Sequence, residues 1–169
     1  MNKKGISMLV IVAIVVIVVA VVGIAAYYVL TTGESGENGE EKPDVAGATS
    51  ISFDVTLAEE TDKFTAKNLG TSDVLLRVDQ AASDGSTFTY LMNQTAQTAW
   101  ANFGGEWMDV SATFEADYWN SPLIGKTALD SYMTALADWS GTGDFEGDSF
   151  VISNIVLNPT LDDAVFQPA

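Results

Sequence analysis

The densest group of oxygen donors in the chain is Asp144-Phe145-Glu146-Gly147-Asp148, with Gly141 and Gly143 just before it. Several carboxylates on a glycine-permitted loop are what a hard cation such as calcium requires. The register of an EF-hand fails, because counting from Asp144 puts Ser149 at the glycine position and Ile155 at the bidentate glutamate position. The segment therefore reads as a solvated acidic loop, as do Asp162-Asp163 and Glu59-Glu60, and no metal ligand is assigned. Paired carboxylates also carry out glycoside hydrolysis, but no spacing here marks a cleft. The chain has no Cys and no His. Thiolate chemistry, disulfides, the usual general base and the commonest metal ligand are all missing, so Ser-His and Cys-His catalysis is excluded. No catalytic residue and no cofactor is assigned, and the expectation is a non-enzymatic protein.

Aromatic side chains are the remaining source of chemistry. Phe88, Tyr90, Trp100, Trp107 and Trp139 are the candidates to line a pocket for an apolar ligand. The competing reading is that they are core, since each buries a large area and small domains need it. Asn93-Gln94-Thr95 is the one usable glycan acceptor, because proline blocks Asn158-Pro159-Thr160. It falls in an expected hairpin turn.

Positioning these residues is the work of a domain spanning 50–169, long enough for one core. Ser50-Ile51-Ser52-Phe53-Asp54-Val55-Thr56-Leu57 alternates strictly, which predicts a strand with one wet face in an antiparallel sheet. Further strands are expected at 64–68, 74–79, 87–92, 96–102 and 106–110, with a turn at 69–73. Beyond Ser111 the period changes. Leu129, Tyr132, Met133, Leu136 and Trp139 form one helical stripe, with Thr127 as its expected cap and Ser140-Gly141 as its stop. Residues 114–120 predict a shorter helix ended by Ser121-Pro122, and 150–157 return to strand before Pro159. Six or seven strands and one or two helices give an α+β domain, with the helix packed on a curved antiparallel sheet.

Ahead of this domain, residues 8–30 carry no charge. As a helix such a run spans about 35 Å, enough to cross a hydrocarbon core of about 30 Å. Lys3 and Lys4 precede it, in a basic flank at 1–7, while all 23 carboxylates follow it. The positive-inside rule then places the flank in the cytoplasm and the rest outside, as a single-pass protein of the cell membrane that meets lipid through this helix. A cleaved secretory peptide competes with this reading, but its apolar stretch is usually about 7–15 residues. Residues 31–49 hold no large apolar side chain except Val45 and are rich in Gly, Glu and Ser, which predicts a flexible acidic linker with a reach of about 25 Å. The net charge of −16 argues against nucleic acid as a partner.

Two family resemblances extend these readings. Lys3-Lys4-Gly5-Ile6-Ser7 ahead of the apolar run resembles the class III signal of archaeal type IV pilin-like proteins. The resemblance implies cleavage between Gly5 and Ile6, leaving the helix as the new N-terminus of a surface filament subunit. A plain anchor with a basic flank accounts for the same residues. Near the other end, Ile152-Ser153-Asn154-Ile155-Val156-Leu157-Asn158-Pro159 and then Leu161-Asp162-Asp163-Ala164-Val165-Phe166 are similar to the closing segment of the lipoprotein-carrier (LolA-like) half-barrel families. Tyr90-Leu91-Met92-Asn93 and Gly105-Glu106-Trp107-Met108-Asp109-Val110 resemble their hairpins. This likeness implies a sheet wrapped around helices, a Phe tucked in by the tail, and an apolar interior that binds a lipid or acyl chain. The leading expectation is thus a membrane-tethered extracytoplasmic domain that binds an apolar ligand or a surface protein. A pilin-like filament subunit is the alternative.

Overall fold

The computed structural model describes residues 42–58, 60–81 and 85–169. The expected basic flank, membrane span and processing site at Gly5 and Ile6 lie outside the described residues. Among the described residues, no helix is long and apolar enough to cross a membrane.

Eight antiparallel strands form one curved sheet: β1 Ser50–Leu57, β2 Glu60–Lys67, β3 Leu75–Ala81, β4 Thr87–Asn93, β5 Thr98–Phe103, β6 Trp107–Asp109, β7 Phe145–Glu146 and β8 Val151–Leu157. The order across the sheet is β6-β5-β4-β3-β2-β1-β8-β7. The first six strands are a meander, and the chain then returns to pair β8 with the free edge of β1. That last pairing carries a bulge, with a register shift between Ser52 and Asp54 and Asn154 at φ 52°. Asn is among the few residues that tolerate this left-handed conformation, and its Nδ2 donates to Asp54 Oδ2 at 2.7 Å.

The helix layer comes from the segment between β6 and β7. A short helix at Phe114–Trp119 is wound with π geometry, and the α-helix α1 runs over Lys126–Ala135 and tightens into a 3₁₀ turn at Leu136–Asp138. Ala128, Leu129, Tyr132 and Leu136 bury its inner stripe. The expected Thr127 cap is corrected: the N-cap is Gly125, with no side-chain cap bond. A Cβ at Gly125 would overlap the carbonyl oxygens of Tyr118 and Trp119, so only glycine lets the two helices abut this closely. The stripe also ends earlier than expected, since Trp139 is already extended.

Register fixes what the helices cover. Ile51, Phe53 and Val55 on β1 lie opposite Ala66, Phe64 and Asp62 on β2, which in turn face Leu76, Val78 and Gln80 on β3. Because side chains alternate along a strand, all of these share one face. At its centre Phe53 and Phe64 stack at 5.4 Å, and Tyr132 stands edge-on to both at 6.0 and 5.4 Å. Phe150 closes the cluster, 5.6 Å from Tyr132.

The opposite face is covered by the tail. Asn158-Pro159 leads into a 3₁₀ turn, Asp163–Phe166, that buries Phe166. Lys67 pairs with Asp163 and lies 5.6 Å from the Phe166 ring centroid, and Arg77 Nη1 donates to the Val165 carbonyl at 3.2 Å. The start of the domain also moves relative to expectation. Val45 and Ala48 are buried, and Thr49 N–H donates to Asn158 Oδ1 at 2.8 Å. Residues 42–49 therefore belong to the folded unit.

Candidate functional site

The helix-side face of the sheet is not covered evenly. Over Phe53 on β1 and Phe64 on β2 it is sealed by α1, while the Glu60–Asp62 end of β2 is left partly exposed. Toward β4, β5 and β6 the same face carries Phe88 opposite Phe103, Tyr90 opposite Ala101, and Ala101 opposite Met108. Here Phe103 is 41% and Met108 48% exposed, two of the three large apolar side chains so exposed among the described residues. Phe103 lies 5.5 Å from Phe88 and 5.9 Å from Tyr90, ring to ring, and Tyr118 of the short helix reaches to 6.2 Å from Tyr90. The result is an aromatic platform edged by the helix layer on one side and open on the other.

A polar pair adjoins the platform. Gln80 on β3 lies between Phe88 on β4 and Asp62 on β2, and its Nε2 donates to Asp62 Oδ2 at 3.0 Å. Burial raises the Asp62 carboxyl above the ordinary range. The Gln80 hydrogen bond opposes that rise and nearby Glu60 adds to it. The surrounding phenols respond to the same environment: Tyr132 is pushed up to about 12 by burial and then by Asp62. Tyr90 is raised by burial, Tyr118 and Asp62. Both phenols stay protonated at neutral pH and can donate or accept a hydrogen bond.

The five expected lining residues divide between the two faces. Phe88 and Tyr90 belong to the platform. Trp139 is buried in the main core, its indole N–H donating to the Gly143 carbonyl at 3.0 Å. Trp100 pairs with Leu91 and Asp109, and Trp107 with Asn102, so strand alternation sends both to the tail-side face. That face is structural: Arg77 holds Asp79 at 2.7 and 2.8 Å, and Thr89 Oγ1 donates to Asp79 Oδ1 at 2.7 Å. Asp62, Gln80 and Met108 are members that the sequence reading left out. Their signal is the pairing of Phe88 with Phe103, which emerges once the β4–β5 hairpin is closed over Asn93 and Thr98.

Asn93 ends β4, half-buried, with Oδ1 accepting from the Ala96 N–H at 2.9 Å. The Thr95 hydroxyl donates to Asp73 Oδ1 at 2.5 Å. Asp144, Glu146 and Asp148 are exposed. Among the described residues, no three metal-ligating side chains stand together.

The structure thus defines an α+β domain with a curved eight-stranded antiparallel sheet and two short helices. No protein-family model, no curated protein and no solved structure matches the chain.

Proposed function

We propose that this chain is a non-enzymatic, membrane-tethered extracytoplasmic domain that binds an apolar or lipid ligand on the aromatic platform at the β4–β6 end of the sheet. The observation that carries this reading is the placing of solvent-exposed Phe103 and Met108 beside Phe88 and Tyr90 on one face of β4–β6, while the same face is sealed over Phe53 and Phe64. Exposed aromatic surface beside a few hydrogen-bonding groups is the composition of a ligand site. The occupied position is a surface shelf, since the space between β1, β2 and α1 is filled by Phe53, Phe64, Tyr132 and Phe150. Membrane attachment rests on the uncharged run 8–30 behind Lys3 and Lys4. In a ligand titration followed by nuclear magnetic resonance, saturable shifts at the Met108 methyl that vanish in Phe103→Ala support the site. A full chain that binds no hydrophobic dye and retains no lipid when extracted mildly sinks it.

A pilin-like subunit is the second reading, favoured by Lys3-Lys4-Gly5-Ile6-Ser7. Intact mass spectrometry of the chain from its native membrane separates the two. Loss of residues 1–5 supports the filament pathway, and an uncut chain supports the tethered binder.

A further inference from the structure

The row Asp62, Gln80, Phe88, Phe103 crosses four adjacent strands, β2 to β5, on a single face. Adjacent strands lie about 4.8 Å apart, so the row is about 14 Å long, with a carboxylate at one end and exposed aromatic rings at the other. We propose that this row recognises an amphiphile with a positively charged head, an alkylammonium placed at Asp62 with its apolar part along Phe88, Phe103 and Met108. This rests on the platform's being a ligand site and goes further in naming the head group.

Three observations select a cation. Among the described residues Asp62 has no ion-pair partner: its one hydrogen-bond partner is Gln80, and the charge that acts on its carboxyl is the like charge of Glu60. Strand alternation sends Lys63, Lys67 and Arg77 to the opposite face, while Lys42 and Lys126 are paired with Asp138 and Asp130. A half-buried carboxylate without a counter-ion is costly, and a bound ammonium offsets that cost. The Tyr90 phenol stands near enough to Asp62 to feel its charge, and an aromatic ring beside a carboxylate also attracts ammonium groups, quaternary ones especially. An anionic head would meet Asp62 and Glu60 and be repelled.

The test titrates the full chain, in neutral glycoside detergent, with three probes whose decyl chains match the length of the row: decyltrimethylammonium, decyl glucoside and decanoate. The Met108 methyl and the tyrosine ring resonances report binding. The expected result is saturable binding of the ammonium at least about tenfold tighter than the glucoside, with decanoate weakest. Asp62→Asn, which keeps an acceptor for Gln80, should abolish the preference and leave glucoside binding intact, with the Tyr132 ring resonances confirming the fold. Phe103→Ala should weaken every probe. Equal affinity for the three probes, or a preference unchanged in Asp62→Asn, overturns the head-group inference while the platform stands. Absence of saturable shifts with any probe overturns the platform and this inference together.

Discussion

The two halves of the helix-side face are built from the same kinds of residue and end up in opposite states. Around β1 and β2, Phe53 and Phe64 are wholly inaccessible under Tyr132 and Leu129. Around β4 and β5, Phe88, Tyr90 and Phe103 repeat the aromatic pairing with only the edge of the short helix, through Tyr118, reaching them. The difference is coverage rather than composition. An aromatic-rich strand becomes core or platform according to where the helix layer stops, and here Gly125 fixes that limit by holding α1 against the short helix.

The contrast is most directly broken from the sealed side. Phe53→Ala should cost about 3–5 kcal/mol, because the ring's packing is lost and α1 cannot settle into the space, a loss read from the urea unfolding midpoint. The second largest effect is alkaline. The Tyr132 phenol titrates at 10.0 in the unfolded chain and at about 12 in the folded one. Its contribution is therefore complete below pH 10 and is lost as the pH rises through about 12, by about 3 kcal/mol in total. Unfolding midpoints measured from pH 8 upward should show this fall, and Tyr132→Phe should flatten it. Lys67→Ala removes the ion pair with Asp163 and the contact with the Phe166 ring, for a cost of about 1 kcal/mol, and hydrogen exchange should rise in the tail turn before the sheet. Phe103→Ala sits at the bottom of the scale, within about 0.5 kcal/mol of the parent, while ligand shifts at Met108 disappear. A large destabilisation by Phe103→Ala would erase the distinction between the two halves.

Sequence reading reached the elements that carry their own periodicity. β1 was legible residue for residue from its alternation, and the Leu129-Tyr132-Leu136 stripe located α1. Where neighbours dictate structure, the reading fell short. Residues Glu60 to Lys63 hold no apolar alternation, yet they are strand because β1 and β3 pair with them on both sides. The two-residue β7 exists only as an addition to β8. Val45, the single large apolar residue in an otherwise polar tract, was the available signal that residues 42–49 fold back onto the domain. The candidate site suffered most, since assigning Trp100 and Trp107 to one face or the other requires the register of three strands at once. Asp62 gains its meaning solely from Gln80, its partner across the neighbouring strand but 18 residues on in sequence.

The return of β8 to the edge of β1 also governs how the domain can form. Thr49 and Asn158 are bonded across 109 residues of chain, so β1, made before the other described strands, receives its second neighbour last. Until then the outer edge of β1 presents unpaired N–H and C=O groups, a template for wrong partners. Pairing at such long range closes slowly, because loop entropy must be lost before any contact is gained. Premature termination anywhere before Val151 would leave a six-stranded intermediate at most, since β7 pairs with β8 alone, with an adhesive rim in place of a finished edge.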